Sequence, residues 1–371
     1  MIKTNRLKQV NPPLNIVFLV HDIHFGGGGE RVTINLANHF EDKGHNVIII
    51  SLSICSTSNI FPINTRIEIK YLDINLNAGS NATKKLLSIF RINDYFRHHI
   101  NKSIVLGIGN YPSLLLCFLP KRKNIKTIGC QHLAYSGIKN IWAILRSILF
   151  RRLDCVVSLT NHDLPKYKKL NKNSVVIPNS ISFRPTHPAT LTSKRILFVG
   201  RMVYEKGYDI LIEVLKKVSE RHQDWDFRIV GDGPLKNMIV KQIELSGLKE
   251  KISVLSSTKL ISEEYLKSSI FLMTSRTEGL PMVLLEAQAC GLPIVSFDCE
   301  TGPSDIITNY ANGFLIDCYD TDKMVDKISM LCTDYDLRLK FGQQALENVG
   351  KFRPELINSK WEDLFRKLSQ N

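Results

Sequence analysis

Short, continuous apolar runs alternate along the first half of the chain with stretches whose apolar residues have helical spacing. The run NIVFLV at residues 15–20 predicts a buried strand, and residues 29–44 predict an amphipathic helix. Further strands are predicted at residues 45–53, 66–73, 103–109, 125–130, 154–160 and 174–179. Because most of these runs are continuously apolar, they indicate a parallel sheet covered by helices on both sides. Strand–helix alternation of this kind predicts a doubly wound α/β domain.

The alternation stops near residue 184 and then starts again. The segment SFRPTHPATLTSKR contains two prolines and several serines and threonines, which indicates a linker. Beyond it, strands are predicted at residues 195–201, 227–233, 251–256, 270–275, 293–298 and 313–317, with helices between most of them. We therefore expect two doubly wound Rossmann-like domains, at residues 1–183 and 184–350, facing each other across a ligand-binding cleft. Residues 351–371 are expected to form a C-terminal helix that can pack back on the first domain.

Composition places the chain among ordinary soluble globular proteins, with 44% hydrophobic and 23% charged residues. No apolar run approaches the roughly 18 residues of a membrane span. The polar first residues lack the apolar segment of a secretory signal, so we expect a cytoplasmic protein. Its eight cysteines include no C-x-x-C pair, which argues against zinc and redox motifs and fits free thiols.

Positive charge is concentrated in the first half of the chain. Residues 1–183 contain 24 Lys and Arg against 9 Asp and Glu, whereas the remainder contains 25 against 26. A one-sided basic surface attracts nucleic acid, anionic lipid or a phosphate-bearing substrate. Composition alone leaves these three open.

Four consecutive glycines, Gly26 to Gly29, lie between the first predicted strand and the first predicted helix. Bare backbone at a helix N-terminus favours an anion, because the amides and the helix dipole point at it. The run is not a Walker A loop, since no Gly-Lys-Ser/Thr follows, and it does not match the G-x-G-x-x-G pattern of NAD-binding proteins. A flexible turn is the alternative interpretation.

Two cations follow the first strand of the second half, in FVGRMVYEKGYD. Arg201 comes directly after the strand and Lys206 five residues later, just before Gly207 and a predicted helix. In an α/β sheet, ligands bind at this carboxyl edge. Two cations beside a helix N-terminus match the charges of a diphosphate. A solvated surface pair is the alternative.

A pair of carboxylates eight residues apart appears in TSRTEGLPMVLLEAQACGLPIV. Glu278 is in a predicted loop and Glu286 is inside the following helix, among leucine and alanine side chains. Burial of Glu286 without a partner would be costly, so a hydrogen-bonding ligand such as a sugar diol would account for it. Exposure to solvent is the alternative for this residue.

Taken together, HFGGGGERV, VGRMVYEKGYD, GDGPL and the two glutamates within EGLPMVLLEAQACGLPIV resemble glycosyltransferase family 4. The resemblance extends from about residue 14 to residue 350. It implies the GT-B fold, with an acceptor-binding first domain and a nucleotide-sugar-binding second domain. It also implies transfer of a hexose or N-acetylhexosamine with retention of anomeric configuration, without metal or other cofactor.

The resemblance also implies roles for individual residues. Arg201 and Lys206 would neutralise the diphosphate as it leaves, Glu286 would hold the ribose hydroxyls, and Glu278 and His132 would face the donor sugar. Main-chain and loop contacts to the donor are expected from Gly27, Gly28, Gly29, Gly279, Leu280, Pro281 and Met282. Base contacts are expected at Val254 and Leu255, although Ser256 stands where many relatives have glycine. UDP is the expected nucleotide, with GDP as the alternative.

Three Asp-x-Asp patterns are present, of the kind that binds metal in glycosyltransferases of another fold: Asp224/Asp226, Asp320/Asp322 and Asp334/Asp336. None follows the first strands of a nucleotide-binding sheet. We therefore interpret them as turn and capping residues, and no metal site is predicted.

Residues 84–102 and 139–154 combine apolar and basic side chains and predict a peripheral contact with the anionic inner face of the cytoplasmic membrane. Packing of the same apolar faces on the first sheet is the alternative. The resemblance to the family implies a polyprenyl-diphosphate- or lipid-linked saccharide as acceptor, in O-antigen, lipopolysaccharide, capsule or exopolysaccharide synthesis. The alternatives are a soluble transferase with a free sugar acceptor and a catalytically silent GT-B scaffold. Nucleic acid is not expected as a partner, because no recognition motif accompanies the basic charge.

Overall fold

The structure is a computed structural model that describes residues 12–53, 61–72, 74 and 82–370, with residues 82–86 described by their backbone alone. Within the described residues, the strands of the first sheet are β1 (Asn15–Val20), β2 (Asn46–Ser51), β3 (Glu68–Tyr71), β4 (Ser103–Ile108), β5 (Ile125–Cys130), β6 (Cys155–Ser158) and β7 (Val175–Val176). The helices among them are α1 (Gly28–Asp42), α2 (Ala82–His99), α3 (Asn110–Leu116), α4 (Asn140–Leu149) and α5 (Leu164–Leu170).

A second series follows the predicted linker. Its strands are β8 (Arg195–Val199), β9 (Asp226–Val230), β10 (Ile252–Leu255), β11 (Ile270–Met273), β12 (Ile294–Phe297) and β13 (Gly313–Ile316). Its helices are α6 (Tyr208–Arg221), α7 (Lys236–Leu245), α8 (Ile261–Leu266), α9 (Met282–Ala289), α10 (Pro303–Ile306), α11 (Thr321–Thr333), α12 (Tyr335–Asn348) and α13 (Pro354–Gln370).

Both sheets have the doubly wound order. The first is β3-β2-β1-β4-β5-β6-β7 and the second is β10-β9-β8-β11-β12-β13, and the strand pairs with a defined register are parallel. The prediction of two parallel, Rossmann-like sheets is therefore confirmed, and the predicted strands are present. β7 keeps the smallest share of its predicted length, and Pro178 lacks the N–H that a longer ladder would require.

The chain separates into two compact units. Among the described residues, one comprises those of Met1–Cys130, Arg152–Asp154 and Leu368–Asn371, and the other comprises Gln131–Arg151 and Cys155–Lys367. Every predicted site residue except Gly27, Gly28 and Gly29 belongs to the second unit.

The second sheet has a hydrophobic core on each face. Adjacent residues of β11 show the alternation, because Phe271 packs on the side of α8 and α9 while Leu272 packs on the side of α6, α7 and α11. Both side chains are fully buried. Burial of both faces explains why the strands lack a polar side in the sequence.

The described cysteines are free thiols, as predicted, and all except the half-buried Cys318 are buried. Cys55 lies outside the described residues. Among the helices that the structure describes, none combines the length and apolar character needed to cross a bilayer.

Gly207, at the start of α6, satisfies two constraints at once. Its φ of +66° is left-handed, and a Cβ at this position would overlap the carbonyl oxygen of Thr274. The Thr274 hydroxyl donates to the carbonyls of Lys206 (3.2 Å) and Gly207 (3.1 Å). The backbone before α6 is therefore pressed against the end of β11.

Replacement of this glycine tests the close approach. Gly207→Ala is expected to lower the free energy of unfolding by about 1–3 kcal/mol beyond the cost of the left-handed backbone, because the backbones must separate. Gly247→Ala is the matched control, since Gly247 has a φ of +75° and no atom within 4 Å of its Cβ position. Urea unfolding of both variants measures the difference. Equal losses of unfolding free energy in the two variants would show that the close approach of residue 207 to Thr274 does not add to the cost of the substitution.

Candidate functional site

The second sheet reverses its strand order at β8, where β9 lies on one side and β11 on the other. The loops after β8 and β11 both leave the carboxyl edge at this switch point, which is where α/β sheets bind ligands. The first loop carries Arg201 and Lys206, and the second carries Glu278. The topology therefore brings together residues that are more than 70 positions apart in the chain.

Lys206 and Glu278 form an ion pair. The Lys206 Nζ is 2.5 Å from Glu278 Oε1, and the side chains are 23% and 9% exposed, respectively. Arg201 is exposed at the start of the same loop as Lys206. Arg201 and Lys206, predicted as two cations for a diphosphate, follow the end of the same strand, and the charge of Glu278 is balanced by Lys206.

Arg276 joins the same two loops and was not among the predicted site residues. Its guanidinium binds both carboxylate oxygens of Asp209, at 3.0 and 2.6 Å. It also donates to the carbonyl of Tyr204 at 2.8 Å and lies over that residue's ring. Its own amide donates to the Glu205 carbonyl at 2.8 Å.

These contacts hold the segment of Lys206 against the segment of Glu278. Hydrogen bonding to Arg276 also lowers the pKa of Asp209, so the pair stays charged at neutral pH. Arg276 and Asp209 lie inside the motifs TSRTEGLP and EKGYD. Both residues therefore lie in segments that the sequence had already singled out. The sequence did not indicate that Arg276 and Asp209 would bind each other.

Glu286 is buried in α9, at 4% exposure. The Tyr265 hydroxyl, in α8, donates to Glu286 Oε2 at 3.0 Å. The alternative of a solvent-facing side chain is wrong, and the carboxylate also has a protein partner that the sequence did not indicate. The hydrogen bond from Tyr265 helps to orient this carboxylate within the helix packing.

The segment before α9 brings backbone to the same edge. Pro281 is the N-cap of the helix, and Leu280 and Pro281 are buried while Gly279 and Met282 are partly exposed. The Thr301 hydroxyl, after β12, donates to the carbonyl of Glu278 at 2.5 Å. The loop that carries Glu278 is therefore held from the neighbouring strand as well.

His132 follows β5 and lies against this loop. A Cβ on Gly279 would overlap the His132 carbonyl oxygen, so the two backbones are in direct contact. Although its surface is not fully covered, surrounding protein lowers the pKa of His132 to about 4. The imidazole is therefore neutral at neutral pH and can offer one N–H donor and one acceptor.

Val254 and Leu255, at the end of β10, are half-buried and pack against the two cores of the second sheet. Beyond them, Asp232 accepts from the Ser257 amide at 2.6 Å, and Lys236 reaches both Asp232 (2.7 Å) and the Ser256 hydroxyl (2.6 Å). Lys236 and the Ser257 amide lower the pKa of Asp232. Ser256 thus belongs to a hydrogen-bonded turn.

The four glycines, Gly26 to Gly29, follow β1 and belong to the unit that contains the first strands of the chain. Gly26 has a φ of +75°, and Gly27 is the N-cap of α1. The Gly27 amide donates to the Glu30 carboxylate at 3.0 Å. The N-terminus of α1 is therefore capped by the carboxylate of Glu30.

The Asp-x-Asp patterns have local partners. Asp320 and Asp334 are N-caps that accept from the amides of Lys323 and Leu337, as their interpretation as caps predicts. Asp224 pairs with Lys194. A separate group of His162, Asp163 and Glu300 is spaced like metal ligands within the described residues, but Lys166 supplies a cation there, at 3.1 Å from Asp163 and 2.8 Å from Glu300.

Comparison with known proteins agrees with this arrangement. The family model described as Glycosyltransferase Family 4 matches residues 26–183, and that described as Glycosyl transferases group 1 matches residues 180–348. The amylovoran biosynthesis glycosyltransferase AmsD of Erwinia amylovora is 30% identical over 94% of this chain and 99% of its own.

Two solved structures share the fold. A single-residue mutant of Staphylococcus aureus TarM, in complex with Fondaparinux, alpha-GlcNAc-glycerol and UDP, has a TM-score of 0.80 at 19% identity, over 95% of this chain and 99% of its own. The pneumococcal O-GlcNAc transferase GtfA, in complex with UDP and GlcNAc, has a TM-score of 0.79 at 14% identity, over 97% of this chain and 100% of its own. The two doubly wound sheets, the charged switch point and the similarity to AmsD over nearly the whole chain show that the protein belongs to family 4 of the glycosyltransferases and has the GT-B fold.

Proposed function

We propose that the protein transfers a hexose or N-acetylhexosamine from a UDP-sugar, with retention of configuration, to a lipid-linked saccharide in the synthesis of a surface polysaccharide. The observation that carries the proposal is the Lys206–Glu278 pair at the switch point of the second sheet. The relatives support it, since AmsD belongs to amylovoran biosynthesis and the TarM and GtfA structures contain UDP.

In the proposed mechanism, Arg201 and Lys206 receive the diphosphate of the donor. Lys206 is held by Glu278 before the substrate arrives, and such preorganised charge stabilises the negative charge that develops on a leaving diphosphate. Lys206 then exchanges part of its contact with Glu278 for contact with phosphate. The Glu278 carboxylate is thereby free to accept from hydroxyls of the donor sugar.

Glu286 is proposed to bind the two ribose hydroxyls. Its carboxylate is buried and oriented by Tyr265, so little reorganisation is needed when the nucleotide binds. His132 is proposed to hydrogen-bond the donor sugar as a neutral imidazole, because its pKa of about 4 keeps it uncharged at neutral pH. Front-side attack, in which the leaving phosphate accepts the proton of the acceptor hydroxyl, would give retention without a carboxylate nucleophile, and we assign no general base.

A membrane-facing acceptor is supported by an uncovered apolar face on α4. Ile141, Ile144 and Ile148 follow helical spacing and are 56%, 55% and 48% exposed. The side chains of Lys139 and Arg151, at the two ends of the helix, are exposed as well. In α2, Phe90 is also exposed. Apolar side chains flanked by cations fit the surface of an anionic bilayer, which accounts for the basic first half of the chain.

Two alternatives stay distinguishable from this proposal. A soluble transferase with a free sugar acceptor would bind UDP but not vesicles. A silent scaffold would bind neither nucleotide, although the charged groups at the switch point favour an active enzyme.

Lys206→Ala is expected to lower kcat by about 10²–10³-fold, the usual cost of removing one preorganised charge from a transition state. Glu286→Ala is expected to raise the KM for the donor by about 10–100-fold, because loss of hydrogen bonding to a charged group costs about 1.5–3 kcal/mol. Steady-state kinetics with UDP-sugars measure both effects. Lys216→Ala, at an exposed position of α6, is the control and should retain wild-type kinetics. Wild-type kinetics in either test variant would remove that residue from the donor site.

Nucleotide binding is expected to be independent of metal. Calorimetric titration in EDTA should show micromolar binding of UDP and weaker binding of GDP, and transfer should continue in EDTA, because Arg201 and Lys206 supply the positive charge. Strict dependence on an added divalent cation would contradict this diphosphate site. Preference for GDP would revise the donor, and binding of neither nucleotide would favour the scaffold.

Cosedimentation with vesicles tests the membrane contact. The protein is expected to bind vesicles rich in anionic phospholipid at low salt and to be released as ionic strength rises. Replacing Ile144 and Ile148 together by Glu should abolish binding, since two negatively charged side chains would then take the place of apolar ones at the surface of an anionic bilayer. Leu245→Glu is the control, because Leu245 is an exposed apolar residue at the end of α7. Absence of binding by the wild-type protein at low salt would favour a soluble acceptor.

A further inference from the structure

The segment that carries His132 is fixed where it leaves β5. The Gln131 amide donates to the carbonyl of Val157 at 3.0 Å, and the next carbonyl, of His132, packs directly on Gly279. These two contacts set the position of the His132 backbone. The direction of its ring also depends on how the following residues are held.

Tyr135 is the second anchor of this segment. Its amide donates to Asp163 Oδ2 at 2.7 Å, and its carbonyl accepts from Arg146 Nη1 at 3.0 Å. The Arg146 guanidinium also lies 3.6 Å from the centre of the Tyr135 ring. Asp163 and Arg146 are both buried, so these charge-assisted bonds lie in a water-poor environment, where such bonds are strong.

Glu300, in the loop after β12, provides the third anchor. It accepts a hydrogen bond from the Ser136 hydroxyl, and its Oε1 lies 2.8 Å from Lys166 Nζ. Lys166, in α5, also binds Asp163 Oδ1 at 3.1 Å. Lys166 therefore connects the carboxylate that holds Tyr135 with the carboxylate that holds Ser136. Both bonds to Glu300 lower the pKa of its carboxyl.

The neighbouring residue connects the same loop to the other side of the site. Thr301 donates to the carbonyl of Glu278 at 2.5 Å, while Glu300 binds Ser136. Two consecutive residues thus hold the segment of His132 and the segment of Glu278. The geometry needed at the donor sugar depends on both segments.

We propose that Glu300 and Lys166 are positioning residues that fix the His132 ring relative to Glu278. This inference rests on the proposed function, since it assigns the pair to the donor-sugar end of the same site. Neither residue needs to contact the substrate. Their role is to prevent the segment of residues 132–136 from shifting against the loop of Glu278.

Kinetics provide the first test. Glu300→Ala and Lys166→Ala are each expected to lower kcat by about 10–100-fold with little change in the KM for the donor, because a shift of about 1 Å in a reacting group costs up to 10²-fold. The double variant should be no worse than either single variant, since the residues act as a unit. Lys166→Arg should restore most of the rate, and Lys169→Ala, at an exposed position of the same helix, should have wild-type kinetics. Additive losses or unchanged rates would overturn the proposal.

An NMR titration of histidine side chains tests the same idea without relying on activity. His132, assigned through His132→Gln, should titrate near its pKa of about 4 in the wild-type protein and closer to 6.5 in Glu300→Ala, as the loosened ring meets water. Glu300→Gln is the second variant if Glu300→Ala melts at a markedly lower temperature. Lost activity with an unchanged His132 titration would mean that Glu300 acts on the substrate directly. A wild-type protein without transfer activity would refute the proposed function, while the titration would still decide the role of Glu300.

Discussion

The ion pair between Lys206 and Glu278 is the constraint around which the second unit is arranged. It requires the loop after β8 to meet the loop after β11, and the strand order places those two strands side by side. Hydrogen bonds from Thr274 and Arg276 hold the backbone of the segment that carries Lys206 against the segment that carries Glu278. In a partly buried site each charge is stabilised by the other, so loss of either partner would leave an uncompensated charge. Under the proposed function, a diphosphate bound to Lys206 would take over part of the role that Glu278 performs in this structure.

Most of the fold could be predicted from the sequence, because each buried parallel strand is a continuous apolar run bounded by turn residues. Lys206, Glu278 and Glu286 could be singled out for a similar reason, since each lies in a short motif next to a strand end or a helix start. Local sequence is sufficient where one element both carries the residue and positions it.

The partners of these residues could not be predicted in the same way. Tyr265 reaches Glu286 from another helix, and Lys166 reaches Glu300 across more than 130 positions of the chain. Such pairs depend on which loops share an edge of the sheet, and a single sequence does not contain that information. Glu286 illustrates the result, because its apolar neighbours indicated burial while its hydrogen-bond donor lies outside its own motif.

The contact between the His132 carbonyl and Gly279 involves main-chain atoms on one side and the absence of a side chain on the other. It therefore places almost no demand on the identity of the surrounding residues. During evolution, side chains on both segments can be exchanged while the distance between the segments stays the same. A single added methyl group at Gly279 would separate them. A site built in this way can diversify its chemistry while its geometry is inherited unchanged.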